Sequence, residues 1–319
     1  MNGQERETGP EISALITCYF EEKTIDEFHA KLSAALEASG RSYEIILVND
    51  GSTDRTFDKL RAIFDRDPHV TCIIDMFKNA GQPAAVTAAI CEAHGAVMLS
   101  MDSDLQLDPA DLPILLAEYD KGYDVVSGYR KDRKDSLLRQ WPSVLANIIM
   151  RKASGTKFRD FGCTFKLYNG KLIRAFSFGP LNVFNPVTAI AASARCKEVP
   201  VAHAPRKHGK SGWTFKKLWN YQMDQMVIMT EKPFQYLGIG ALALAALFML
   251  RVIGGWFTPF QVLREVTPGL LLNALMIAFL VLLGCLCMIG EFTIRSFRAS
   301  RNVPKYIVRE RIRRDPPTS

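Results

Sequence analysis

Two aspartates, Asp102 and Asp104, stand two residues apart where an apolar run, Ala96–Met101 (AVMLSM), stops. Residues two apart on an extended chain point to the same side. The pair therefore offers hard oxygen donors for Mg2+ or Mn2+, with a substrate diphosphate able to complete the shell. The plainer alternative is a capping turn ahead of a helix over Pro109–Glu118. Position argues for chemistry: Glu21 follows another apolar run, Ile12–Cys18 (ISALITC), and Asp50 follows a third, Tyr43–Val48 (YEIILV).

The elements that must position these carboxylates alternate. Strands are expected at Ile12–Cys18, Tyr43–Val48, Val70–Met76 and Ala96–Met101. Helices are expected at Ile25–Ala38, Asp54–Phe64 and Pro83–Ala93. That alternation predicts an α/β domain with a parallel sheet and a ligand at the carboxyl ends of its strands. No GxGxxG follows the first strand and the chain has no GxxxxGK[ST], so dinucleotide and P-loop chemistry are disfavoured.

Of 319 residues, 48% are hydrophobic, which excludes a disordered chain. The net charge of +7 is uneven: residues 291–319 hold seven Arg and one Lys against three acids, a net of +5. The nearly neutral remainder is unlike a nucleic-acid-binding body, so no nucleic-acid partner is expected. Seven cysteines without a CxxC pair point to a reducing compartment rather than to zinc or disulfides. The polar start, Met1–Pro10, has no signal-peptide pattern.

Two uncharged stretches, Phe234–Leu250 and Val266–Gly290, are each long enough to cross a hydrocarbon core of about 30 Å. Basic residues before and after them place both ends of the hairpin in the cytoplasm by the positive-inside rule. Ser136–Lys152 and Thr214–Met229 carry apolar residues at helical spacing, as core-facing helices do and as helices on a bilayer surface do. The expected organisation is a cytosolic catalytic domain over 1–212, a juxtamembrane amphipathic helix over 213–232, a transmembrane hairpin over 233–290 and a basic cytosolic tail over 291–319. That is a multi-pass protein of the inner (cytoplasmic) membrane with its catalytic domain and both termini in the cytoplasm.

In chain order the motifs ITCYFEE, LVNDGSTD, KNAGQ, MDSDLQ, GYR, DFGCTFKLY, R-x-x-G-x-S and GEF…RNVPKYIV span about Ile12 to Arg314. Together they resemble the membrane-anchored polyprenyl-phosphate glycosyltransferases of glycosyltransferase family 2, the dolichol-phosphate mannose synthase-like group. The nearest branch is the bacterial one that moves 4-deoxy-4-formamido-arabinose to undecaprenyl phosphate. The resemblance implies a GT-A fold (Rossmann-like, with a mainly parallel sheet), a nucleotide-sugar donor, a polyprenyl phosphate acceptor, a lipid bilayer and Mg2+ or Mn2+. By analogy it also implies a homo-oligomer, a tetramer.

Carried over position by position, it assigns Thr17, Tyr19, Glu21 and Asp50 to the nucleotide, and Asn79, Gly81 and Gln82 to the loop that follows. Asp102, Asp104 and Gln106 fall on the metal and diphosphate site, Asp104 being the catalytic aspartate of the set. Arg130, Arg139, Ser143, Arg206 and Ser211 fall on the acceptor phosphate, and Asp160 falls on a candidate base. Asn49 stands where the family usually has the first Asp of DDGS, and Thr17–Glu21 replaces its usual Pro-Val-Tyr-Asn-Glu.

A phosphate monoester with a second pKa near 6 is mostly dianionic at pH 7, so such an acceptor needs little help from a base. The implied reaction is an inverting displacement by that phosphate, with a UDP-sugar the expected donor. Two alternatives use the same fold: transfer to a different acceptor, as in a polysaccharide or lipid synthase, and a non-catalytic membrane scaffold. The first would carry a QxxRW signature, which Leu138-Arg139-Gln140-Trp141 is not. The second would have lost Asp102, Asp104 or the arginines.

Overall fold

The structure, a computed structural model, describes residues 9–130, 158–204, 268–300 and 303–314, with three isolated positions at 240, 243 and 250. β1 (Ile12–Cys18), β2 (Tyr43–Asn49) and β3 (Val70–Met76) are buried along their whole length. Continuous apolar runs of this kind belong to parallel strands covered on both faces. Their polar exceptions satisfy one another. The carboxylate of Glu44 accepts from Ser13 Oγ at 2.5 Å, Thr71 Oγ1 at 2.9 Å and His94 N at 2.7 Å, so a fully buried acid is tolerated.

Helices α1 (Ile25–Ala38), α2 (Thr56–Arg66) and α3 (Gln82–Ile90) connect β1 to β4 (Val97–Asp102). α2 starts two residues later than its apolar pattern suggests because Asp54 turns back to accept from Thr56 N at 3.1 Å. α3 ends three residues early, at Ile90, in a turn closed by backbone bonds from Glu92 and Ala93. After β4 comes a short 3-10 turn, Pro109–Asp111, then α4 (Leu112–Tyr119). The 3-10 turn is capped by Asp108, which accepts from Ala110 N at 3.0 Å, and the residue before α4 is Asp111. Asp102 and Asp104 are therefore not the capping residues of this helix.

The sheet has eight strands in the order β7-β5-β6-β4-β1-β2-β3-β8, where β5 is Val125–Arg130, β6 Lys166–Asn169, β7 Cys196–Val201 and β8 Val308–Arg313. The four strands β4-β1-β2-β3 run parallel, while β6 and β8 are antiparallel to their neighbours β4 and β3. β1 leads to β2 on one side and pairs with β4 on the other, so the topological switch point lies between β1 and β4. Ligands of open α/β sheets bind at that crevice. The core packs Phe28, Leu32 and Leu36 of α1 and Leu112, Leu115 and Leu116 beside the sheet residues Ile16, Leu47, Leu99 and Leu167.

By compactness the chain divides into Met1–Leu218 with Pro304–Ser319, and Trp219–Val303. In the second unit a 33-residue helix, Pro268–Ser300, contains the apolar stretch Ala274–Ile294, with mean hydropathy 2.5 and none of it buried. It is long and apolar enough to cross a membrane. The other expected span, 234–250, lies outside the described residues save positions 240, 243 and 250, as do the amphipathic stretches 136–152 and 214–229. The expected tail behaves differently from a tail. Val308–Arg313 is an edge strand of the eight-stranded sheet, antiparallel to β3.

Candidate active site

Register puts Thr17 of β1 opposite Asp102 of β4, at the carboxyl edge of the sheet. Thr17 Oγ1 donates to Asp102 Oδ1 at 2.6 Å, and Gln82 Nε2 donates to the same oxygen at 2.6 Å. The Thr164 side chain also favours the ionised form of this carboxylate. Burial pushes the Asp102 pKa up, the Thr17 bond opposes it, and the nearby charge of Asp104 raises it further. Asp104 is buried too, and its Oδ1 accepts from Gln106 N at 3.1 Å.

Two carboxylates that repel each other at a ligand-binding crevice are a fitting seat for a divalent cation. Among the described residues no group of three or more His, Cys, Asp or Glu gathers as a metal cage. Two carboxylates plus ligand oxygens is the donor set Mg2+ uses with phosphates. Thr17 and Gln82, expected at the nucleotide, thus orient the Asp102 carboxylate here.

Asp50 anchors the neighbouring loop. Its carboxylate accepts from Ala80 N at 2.7 Å, Gly81 N at 2.9 Å and Asn79 Nδ2 at 2.9 Å. Burial raises its pKa to about 6, against the pull of the two backbone N–H groups. Asp50, Asn79 and Gly81 are therefore brought together, with Asp50 holding the loop. Gly51 lies under that loop at φ +68°, its hydrogen facing the Lys78 and Asn79 backbone. On the other side of Asp50, Tyr19 and Phe20 are 43% and 48% exposed, with ring centroids 4.5 Å apart. Glu21 takes a different part: its backbone N–H donates to Thr56 Oγ1 at 3.0 Å and its carboxylate accepts from Thr24, at the start of α1.

Phe20 and Leu105 are the two non-glycine residues with positive φ (59° and 58°) among the described residues. They follow β1 and β4, the two strands that flank the crevice. Strain of this kind is held by surrounding structure and clusters at ligand sites.

Arg130, at the end of β5, and Asp160 form a bidentate pair, Nε to Oδ2 at 2.7 Å and Nη2 to Oδ1 at 2.9 Å. Burial alone would raise the Asp160 pKa, but the Arg130 guanidinium and Lys166 bring it below the usual carboxylate range. A carboxylate so held is a poor proton acceptor. Below it the fully buried Lys166 donates to the carbonyls of Phe161 and Cys163, while Glu198 accepts from Arg159 N at 2.6 Å and Asp160 N at 2.9 Å. Gln106 meets the end of β7, its carbonyl accepting from Ala204 N at 2.8 Å. Arg206, two residues on, and Ser211, Arg139 and Ser143 lie outside the described residues.

The family profile for glycosyl transferase family 2 matches residues 13–179, which contain every site residue located above save Glu198 and Ala204. The chain belongs to this family. Among its relatives, the undecaprenyl-phosphate 4-deoxy-4-formamido-L-arabinose transferase of Pseudomonas paraeruginosa is 32% identical over 96% of this chain and 91% of its own. The dodecaprenyl-phosphate galacturonate synthase of Rhizobium johnstonii is 30% identical over 94% and 92%. As a family 2 member the chain is a glycosyltransferase with a GT-A-like fold, and the crevice between β1 and β4 is its candidate active site.

Sequence reasoning missed Thr164, Phe20, Gly51 and Lys166 in this site. Thr164 and Lys166 sit inside the motif DFGCTFKLY, whose only residue singled out for chemistry was Asp160.

Proposed function

We propose that this chain transfers a sugar from a nucleotide-sugar, a UDP-sugar by resemblance, to a polyprenyl phosphate, inverting the anomeric carbon. The observation that carries the reading is the pair Asp102 and Asp104 at the sheet's switch point, in a chain alike end to end to two transferases named for polyprenyl phosphates. Asp102, Asp104 and Gln106 would hold Mg2+ or Mn2+, which when bound neutralises the diphosphate of the donor. Thr17 and Gln82 fix the Asp102 carboxylate, so that little reorganisation is left for the moment of reaction. The loop Asn79–Gln82, pinned to Asp50, and the exposed ring of Tyr19 bind the nucleotide.

The acceptor phosphate arrives mostly ionised at pH 7. Aligning it and screening its charge are then the protein's remaining tasks. Arg130, Arg139 and Arg206, with Ser143 and Ser211, provide that cradle, Arg forks being matched to phosphate oxygens. Asp160 holds Arg130 in orientation and is not required as a base. The helix Pro268–Ser300 anchors the enzyme in the cytoplasmic membrane as one arm of the expected hairpin, with the catalytic domain and both termini on the cytoplasmic side. The protein assembles as an oligomer, a tetramer by analogy.

The test uses detergent-purified protein with undecaprenyl phosphate, Mn2+ or Mg2+ and a panel of UDP- and GDP-sugars. Lipid-linked sugar formed from one donor, and lost in Asp104→Asn, supports the reading. Transfer from no donor on the panel, with metal present, overturns it.

A further inference from the structure

The motif RNVPKYIV was singled out by resemblance but given no chemistry. In the structure the chain from Val303 runs back over the catalytic unit. Lys305 N donates to Pro180 O at 2.7 Å, Tyr306 is buried, and Ile307 O accepts from Phe77 N at 3.1 Å. β8 then pairs with β3 in the register Met76↔Val308, Asp75↔Glu310 and Ile73↔Ile312. Arg309 makes two contacts at the end of β3. Its Nη1 lies 3.1 Å from Asp75 Oδ2 and its Nη2 donates to Phe77 O at 3.0 Å, with the guanidinium 5.3 Å from the Phe77 ring. Phe77 opens the loop that continues through Asn79, Gly81 and Gln82.

Asp75 is buried, and its second oxygen accepts from Asn49 Nδ2 at 2.7 Å. Asn49 Oδ1 in turn accepts from Ser52 N at 3.2 Å, and Ser52 Oγ accepts from Phe20 N at 3.0 Å. One line of contacts thus runs from Arg309 through Asp75 and Asn49 to the two loops that flank Asp50. It is charge-matched: a neutral amide and a guanidinium share one buried carboxylate. An aspartate at position 49 would set two buried carboxylates against each other. The departure Asn49 and the buried carboxylate of Asp75 therefore belong together.

We infer that Arg309 is a positioning residue for donor binding, and that strand β8 braces the donor loops from the sheet edge. This rests on the proposed donor site. Losing a charge-assisted contact that holds the loop predicts a donor affinity about tenfold weaker, with turnover at saturating donor little changed. The test is Arg309→Met in the full chain, measuring donor KM, acceptor KM and kcat, together with calorimetric binding of UDP and of GDP in the presence of Mn2+. Arg311→Met is the control: Arg311 pairs with Glu92, past the end of α3 at Ile90, and Arg313 also holds that carboxylate at 2.6 Å.

A donor KM and nucleotide Kd raised together in Arg309→Met, with acceptor KM unchanged and Arg311→Met like the parent, support the inference. A wild-type donor KM, or an equal rise in acceptor KM, overturns it while leaving the proposed function standing. A parent protein that binds neither nucleotide removes both. Should Arg309→Met fail to fold, Asp75→Asn serves instead, since it removes the carboxylate that Arg309 meets. Nucleotide affinity must fall there with acceptor KM unchanged, and an unchanged affinity overturns the inference.

Discussion

Gly51→Ala tests whether the donor loop is held as tightly as its contacts indicate. A methyl group at Gly51 would lie 2.3 Å from the Lys78 carbonyl carbon, 2.5 Å from Asn79 N and 2.6 Å from Lys78 Cα, all backbone atoms. An alanine at φ +68° costs about 1–2 kcal/mol in backbone energy, and forcing a methyl into filled space adds about 1–3 kcal/mol. The sum, about 2–5 kcal/mol, has two outlets. Either the catalytic unit loses roughly 5–15 °C in thermal midpoint, or the loop moves off Asp50 and nucleotide binding weakens by at least about tenfold, which costs only about 1.4 kcal/mol.

Gly40→Ala separates the contributions, since Gly40 has the same φ of +68° but nothing within 4 Å of the added methyl. Differential scanning fluorimetry and calorimetric titration with UDP and GDP in Mn2+ read both outlets. If Gly51→Ala matches Gly40→Ala in midpoint and in nucleotide Kd, the loop is not packed as described.

Three further outcomes are expected. Arg130→Met leaves the mostly buried Asp160 carboxylate without its bidentate partner and destabilises by about 3 kcal/mol, more than Asp160→Asn does in the same denaturant titration. Since the folded Asp160 pKa is depressed, the wild-type pair contributes stability that is fully present above the ordinary carboxylate range and is lost as pH falls through the folded pKa; in Arg130→Met burial pushes the carboxyl the other way, so the penalty shrinks as pH falls.

Asp50 has the opposite sign. Its pKa, raised from 3.8 to about 6, favours the fold below about pH 4, and that contribution is lost as pH rises through 6. The stability of wild type relative to Asp50→Asn, measured without metal or nucleotide, therefore falls by up to about 3 kcal/mol between pH 4 and pH 7.5. Mn2+ binding, followed by electron paramagnetic resonance, weakens as pH drops through the raised Asp102 pKa, because metal ligands must be deprotonated. Asp104→Asn weakens that binding further and moves its pH dependence to lower pH.

Much of the sheet could be read from local pattern. β1, α1 and β3 have the limits their apolar runs predict, because strands buried on both faces and an amphipathic helix announce themselves by composition. The DxD pair was legible for the same reason: it ends an apolar strand, and register brings it beside Thr17. β8 was not legible. VRERIR alternates as an edge strand should, but charges dominate it, and its partners Asp75 and Glu92 lie more than two hundred residues away. The pairing of Arg130 with Asp160 was hidden likewise, since each residue by itself fits a separate chemical role. Lys166 looks like a surface charge until the strands on both sides of it are in place.

The central claim is that a phosphate oxygen of the lipid displaces a nucleoside diphosphate from the sugar. Mass spectrometry of lipid and nucleotide from one reaction, run with purified protein, undecaprenyl phosphate, Mn2+ and the accepted nucleotide-sugar, tests this most directly. The expected products are a sugar joined to lipid through a single phosphate and a nucleoside diphosphate in equal amount. A lipid diphosphate with a nucleoside monophosphate, or nucleotide released with the lipid unmodified, would contradict it.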